Sequence, residues 1–410
     1  MKKYPLILII FTTLLCAGTS TGQESYEIRF ALLTDPHVNA TTEDNPTYYK
    51  LLHQSGDILS DAISEVNALN EDNDPANDID YVLFAGDQTD GYAYETEHFK
   101  LFMEKIKELK VPFYIVPGDW DYARDYSPKL IGENYKCPHS NLNENVTFGD
   151  AGLPGVRKYD FSLDFKTTDG DLIHLIGVDN ALHFNGNRGS YEQSQLDWLE
   201  KDLKHNQGKT TVIFQHCPVL IPYSDDANTS PKDVEWIPYD LETELSGKRP
   251  FNEFTKNIPM RKDRAADRSV DFLNLMEKYR VPLVCMGDLH LCRKDTYEPV
   301  YPKTTLLALN PALVSYPCAY TIYEIDKRYV RWDVKKIEKY SQMSEEYNRR
   351  SLEKFNSTLN KIQPDKYTYN IQKSLEVSRG RTEDDPNDWS GSFNYMDDFR
   401  FSDIPEIIGD

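Results

Sequence analysis

Tyr81-Val82-Leu83-Phe84-Ala85-Gly86-Asp87-Gln88-Thr89-Asp90 joins an apolar run to a glycine and two carboxylates, and the reading of that junction decides the fold. A short run rich in β-branched and aromatic residues, stopped by glycine, predicts a buried strand. The carboxylates then fall where the strand ends. Four more junctions repeat the arrangement. Ile28–Leu33 leads into Asp35-Pro36-His37, Phe113–Val116 into Gly118-Asp119-Trp120-Asp121, Thr211–Phe214 into Gln215-His216, and Leu283–Met286 into Gly287-Asp288-Leu289-His290. In open α/β sheets, and in sandwiches built from them, loops at the strand ends converge to hold ligands. Acidic and histidine-bearing segments gathered at that rim predict a site for two metal ions.

Outward from these junctions the chain alternates. Leu51, Leu52, Ile58, Leu59, Ile63 and Val66 have the spacing of an amphipathic helix, and Phe99–Leu109 predicts another. Strands resume at Lys158–Phe165 and Leu172–Val178, joined as a hairpin through Thr167-Thr168-Asp169-Gly170. Pro218–Asp263 reads as a long insertion crowded with Pro, Asp, Tyr and Trp, a type of loop that is usually functional. Thr304–Ala308, Ala319–Ile325 and Val330–Val334 predict closing strands. Beyond them a charged helix runs from Lys335 to about Ile362. The acidic tail to Asp410 is expected to dock through Trp389, Phe393, Tyr395, Phe399 and Phe401.

Three domains are therefore expected: an address at 1–22, a catalytic domain at 27–334 and a helical, acidic extension at 335–410. Lys2-Lys3, the apolar stretch Leu6–Leu15 and the small residues Ala17–Gly22 match a bacterial secretory signal. That predicts a periplasmic or secreted protein. An outer-membrane lipoprotein anchored through Cys16 is the weaker reading, because Leu15 stands where a small residue is wanted. No later segment is apolar enough to span a bilayer. Five cysteines follow the signal, an odd number that excludes complete pairing. With 67 acidic residues against 46 basic ones, a formal charge of −21 argues against tracking a nucleic-acid backbone.

In order and spacing the five junctions resemble the calcineurin-like metallophosphoesterase superfamily, whose pattern runs D-x-H, GDxxD, GNH[DE], a lone histidine and GHxH. Tyr191–Leu199 resembles the helix that precedes the lone-histidine strand in that superfamily. The resemblance implies an α/β (α+β) sandwich: two packed mixed sheets flanked by helices, with a dimetal site at the C-terminal ends of the strands. It also implies the ligands. One ion takes Asp35, His37, Asp87 and His290; the other takes Asp87, Asp119, His216 and Asp288. Asp87 bridges them, and a water or hydroxide between the ions attacks phosphorus. Tyr223, Trp236, Tyr239 and Arg249 of the insertion become candidates for substrate contact.

This chain departs from the pattern at Asp119, Trp120 and Asp288, which replace asparagine, histidine and histidine. The ligand positions keep donors, and the ligating carboxylates rise to four. That favours hard ions, Mn²⁺ or Mg²⁺, with Ca²⁺, Zn²⁺ or Fe as further options. Trp120 and Asp121 occupy the catalytic positions. Indole cannot transfer a proton, so Trp120 leaves the alkoxide without the usual acid, and Asp121 has no imidazole to orient. Asp90 is expected to organise its turn or to support a ligand. The function expected is hydrolysis of a phosphate mono- or diester on a small, lipid-linked or glycan-linked molecule. The alternative is a catalytically impaired relative that binds a phosphorylated or sugar ligand.

Overall fold

The computed structural model describes residues 28–41, 43–46, 49–90, 96–121, 147–148, 160–166, 172–181, 189–224, 235–238, 249–250, 266, 268–290, 292–296, 304–362 and 390–394. The expected secretory address and hairpin turn lie outside them. So do Cys137 and, in the tail, Trp389, Tyr395, Phe399 and Phe401.

The first three motif-bearing runs form β1 (Ile28–Leu33), β2 (Tyr81–Ala85) and β3 (Phe113–Val116), which pair side by side in parallel. Parallel neighbours need a crossover, and α1 (Ser55–Leu69) and α2 (Thr96–Ile106) supply it. On the other side of β1, β14 (Ala319–Ile325) and β15 (Tyr329–Lys336) pair antiparallel, and β16 (Ser390–Asn394) closes that edge. The tail thus returns to the sheet through the strand that contains Phe393. β15 runs further than Val330–Val334, so Lys335 and Lys336 are strand residues, and the C-terminal helix α5 (Glu338–Ile362) begins after them.

The second sheet has the order β12 (Arg293–Thr296), β13 (Leu306–Leu309), β11 (Leu283–Met286), β7 (Thr210–Gln215), β6 (Leu172–Val178), β5 (Phe161–Lys166), β4 (Thr147–Phe148). β6, β7, β11 and β13 are parallel, with α3 (Gln193–His205) and α4 (Ser269–Tyr279) as crossovers. Within the insertion after His216, β8 (Leu220–Ser224), β9 (Glu235–Pro238) and β10 (Arg249–Pro250) form a small antiparallel sheet. The side chains of Tyr223, Trp236 and Arg249, and all of Tyr239, lie outside the described residues.

Alternation explains the layers. Phe30, Leu32, Tyr81, Leu83, Tyr114 and Val116 face Val212, Phe214, Leu283 and Cys285 across the sandwich. Their neighbours Ala31, Leu33, Val82, Phe84 and Ile115 belong to the cluster that includes Ile58, Leu59 and Phe102 of the helices. Both faces of these strands are buried, which is why they read as unbroken apolar runs. Phe30 stacks between Tyr81 and Tyr323 at ring separations of 5.2 and 5.3 Å. Burial of each such ring contributes about 1.5–3 kcal/mol. No helix among the described residues is long and apolar enough to cross a membrane.

Candidate metal centre

Backbone hydrogen bonds tie neighbouring strand ends within each sheet, and a backbone-to-carboxylate bond joins one sheet to the other. Asp35 N–H donates to Gly86 O at 3.1 Å, His37 N–H to Asp87 O at 2.9 Å and Gly287 N–H to His216 O at 2.9 Å. Asp288 N–H donates to Asp35 Oδ2 at 3.2 Å. Five residues at these junctions hold left-handed backbone: Asp35, His37, Asp87, Asp288 and His290, with φ between 38° and 65°. Such conformations cost on the order of 1–3 kcal/mol each outside glycine and persist where the surroundings over-determine them. Here they turn successive side chains inward.

The result is two buried groups of donors, Asp35 with His37 and His290, and Asp87 with Asp119, His216 and Asp288. Asp87 links them. Its Oδ2 lies 3.3 Å from His37 Nε2 and its Oδ1 lies 3.3 Å from His216 Nε2. Around His37 Nε2 stand Asp35 Oδ1 at 3.7 Å and His290 Nε2 at 3.3 Å, the latter 3.3 Å from Asp35 Oδ1. Around His216 Nε2 stand Asp119 Oδ1 at 3.5 Å and Asp288 Oδ1 at 4.0 Å. Donors held about 2.1 Å from a shared ion lie roughly 3 to 3.5 Å from one another, so both groups have the dimensions of a coordination shell.

Electrostatics calls for cations at the same place. His216 Nδ1 donates to Ala85 O at 2.9 Å, which directs Nε2 toward the carboxylates of Asp87, Asp119 and Asp288. Nε2 of His216 and Oδ1 of Asp35 are buried and make no hydrogen bond. Burial alone would lower His216, yet Asp87 and then Asp119 raise it well above the usual histidine range. A positive charge belongs at Nε2, as a proton or as a metal ion. Burial would likewise raise Asp35, but His290, His216 and His37 outweigh it and hold the carboxyl far below its usual value. Burial pushes His290 down to about 4 despite Asp35, leaving an imidazole suited to ligation. Its Nδ1 lies 2.8 Å from Ser315 Oγ.

Asp90 backs His37 from the other side, Oδ1 to Nδ1 at 3.2 Å, the support that fixes a ligand imidazole. Asp121 is fully buried and spends its carboxylate on backbone: it accepts from Gly118 N–H at 2.8 Å, Gln88 N–H at 3.2 Å and Thr89 N–H at 3.2 Å. It braces the Asp119 loop against the Asp87 loop. Burial and then the charge of Asp87 push it up to about 8, against those three donors. Trp120 donates its backbone N–H to Asp87 Oδ1 at 2.9 Å, and its ring meets that of His37 edge-on at 6.0 Å. The structure therefore brings together the seven expected ligands with Trp120, Asp121 and Asp90, while the insertion candidates Tyr223, Trp236, Tyr239 and Arg249 fall outside the described side chains. It adds Ser315, Tyr49 and Lys50, none of which lies in a strand-end motif.

Residues 28–292 match the sequence profile of calcineurin-like phosphoesterases. The chain belongs to that family. A probable glycerophosphodiester phosphodiesterase GpdQ of Arcobacter nitrofigilis is 30% identical over 139 residues, 34% of this chain and 42% of that protein. The chain thus matches about two fifths of the length of that relative. Among solved structures, a dimetal phosphatase from Danio rerio superposes with a TM-score of 0.47 at 11% identity, covering 76% of this chain and 97% of the other. GAP50, the anchor in the inner membrane complex of Plasmodium, superposes with a TM-score of 0.41 at 12% identity, covering 76% and 84%. The two mixed sheets flanked by helices are the α/β fold of this family.

Proposed function

We propose that the protein is an exported, metal-dependent phosphoesterase that hydrolyses a phosphate mono- or diester through two divalent cations held on either side of Asp87. The observation that carries this reading is the placement of the two Asp87 oxygens, 3.3 Å from His37 Nε2 and 3.3 Å from His216 Nε2. Asp35, His37 and His290 would hold one cation and Asp119, His216 and Asp288 the other, with Asp87 shared. Such a pair supplies Lewis acidity toward phosphoryl oxygens and an activated water as nucleophile.

The rest falls to the side chains. Four carboxylates, Asp35, Asp87, Asp119 and Asp288, offset two divalent charges and favour Mn²⁺ or Mg²⁺ over softer ions. Asp90 and Ser315 orient His37 and His290, and Asp121 fixes the spacing of the two aspartate loops. Trp120 presents an indole beside His37, and indole itself cannot pass a proton to a leaving alkoxide, so esters with stable leaving groups suit the site. The resemblance to a probable glycerophosphodiester phosphodiesterase supports a diester. The substrate envisaged is a small, lipid-linked or glycan-linked phosphate; the charge of −21 disfavours nucleic acid. Export rests on the character of residues 1–22.

The test is hydrolysis of bis(4-nitrophenyl) phosphate and 4-nitrophenyl phosphate after chelation and reconstitution with Mn²⁺, Mg²⁺, Ca²⁺ or Zn²⁺ in turn. Turnover restored by one ion, greater on the diester, supports the reading. The same protein binding inorganic phosphate with its metals while hydrolysing neither ester would favour the impaired, ligand-binding alternative that Trp120 raises.

A further inference from the structure

Lys50 lies outside every strand-end motif, yet its ammonium forms part of the wall of the metal centre. The side chain is 2% exposed, and Nζ stands 3.3 Å from Asp90 Oδ1, 3.0 Å from His37 Nε2 and 3.2 Å from His37 Nδ1. Nearly equidistant from the two ring nitrogens, Nζ sits beside the imidazole and off the lone-pair axis of Nε2, which stays directed at Asp35, Asp87 and His290. The indole of Trp120 lies beneath the ammonium, 4.8 Å from Nζ to the ring centroid, and the ring of Tyr49 flanks it at 5.9 Å. A buried ammonium is retained only where anions and aromatic faces replace its hydration, and here both do. Neutralising Asp90 does not require this position. The carboxylate alone could hold the ammonium at any point around its oxygens, whereas the structure sets it against the metal-facing atom of His37.

We propose that Lys50 is a substrate-binding residue whose ammonium donates to a non-bridging phosphoryl oxygen of the ester, with Asp90 and the face of Trp120 as its seat. This inference rests on the phosphoesterase reading above. An oxygen that shares a cation with His37 Nε2 lies about 3 Å from that nitrogen, and Lys50 Nζ already stands at a comparable distance from it. The two atoms are then at most about 6 Å apart, and an oxygen on the Lys50 side of the ion comes within hydrogen-bond reach of the ammonium. Trp120 acquires a role that needs no proton: it is the platform that positions Lys50.

The experiment is calorimetric binding of inorganic phosphate to the full-length protein reconstituted with Mn²⁺, with metal content measured on each sample. Wild type is compared with Lys50→Met, Lys50→Arg and the double variant Lys50→Met/Asp90→Asn, which removes the buried pair together and leaves neither charge stranded. Lys50→Met should weaken phosphate by roughly 10- to 100-fold, the loss of one charged hydrogen bond, with metal content unchanged. The double variant, which also loses the Asp90 support of His37, should show the same phosphate loss once Mn²⁺ is raised until its metal content equals wild type. Lys50→Arg should recover part of the loss, and the KM for ester should rise more than kcat falls. Phosphate binding equal to wild type in the double variant would overturn the inference and leave Lys50 as a counterion of Asp90. Loss of metal in both variants would overturn it as well, because Lys50 would then serve the cations and not the substrate. Wild type that binds no phosphate with its metals in place would overturn the phosphoesterase reading itself.

Discussion

The imidazole of His216 lies directly against Gly86: a Cβ on Gly86 would stand 2.2 Å from His216 Nδ1, and Gly86 has a φ of +88°. The glycine that ends β2 is there because the lone histidine from the other sheet occupies the space of a side chain, and its Nδ1 must reach Ala85 O. Gly86→Ala should therefore displace His216 and strain the turn. We expect destabilisation of at least about 1–3 kcal/mol together with weaker manganese binding, measured by urea unfolding and calorimetry. A variant that unfolds and binds like wild type would refute the contact.

Removing the shared carboxylate should act oppositely on stripped and loaded protein. Asp87, Asp119 and Asp288 crowd three carboxylates around one histidine, and like charges at that separation repel. Asp87→Asn should raise the Tm of chelator-treated protein or leave it unchanged, while abolishing most of the Tm increase that Mn²⁺ gives wild type through binding linkage. Differential scanning calorimetry with and without Mn²⁺ reads both effects.

Asp121 should matter as a brace. Asp121→Asn replaces one acceptor oxygen by an amide NH2 facing backbone N–H donors. A loss of about 1–3 kcal/mol follows from the unsatisfied groups. Because Gly118 and Gln88 flank the ligands Asp119 and Asp87, manganese affinity should fall with it.

The Lys50–Asp90 pair sets an acid limit. Burial alone would raise the Asp90 carboxyl, but the hydrogen bond from His37 and the Lys50 charge hold it well below its usual range. A carboxyl depressed in the folded state contributes stability that is complete above its unfolded value of about 3.9 and is lost as pH falls toward the folded value. Asp90→Asn should cost about 3–5 kcal/mol at neutral pH by stranding the ammonium. It should also flatten the fall of Tm below pH 4. Thermal melts across pH 2–7 measure this.

Much of this architecture is legible in the sequence because both of its signals are local. β1, β2, β3 and β11 begin and end where the apolar runs do, since a strand buried on both faces is an unbroken apolar run. The carboxylates and histidines follow those runs directly, so the five candidate segments stand out, and the family resemblance then implies the donors residue by residue. Lys50 could not. It comes from an irregular segment before α1, and only the packing of that segment against His37 and Trp120 brings its charge to the site. The bracing by Asp121 was hidden for a related reason: it is a set of side-chain to backbone bonds between two loops, and backbone donors leave no mark in sequence. The small sheet β8–β10 lies in what reads in sequence only as a long insertion, because strands of two to five residues interrupted by proline carry too little periodicity.

The most direct test of the central claim is a calorimetric titration of chelator-treated protein with Mn²⁺, run on wild type and on Asp87→Asn. Two ions per chain in wild type, with proton release as the charge at His216 Nε2 passes from proton to metal, and loss of both high-affinity events in Asp87→Asn is the predicted result. Two ions bound with undiminished affinity by Asp87→Asn, or none bound by wild type, would contradict a two-cation centre hung on Asp87.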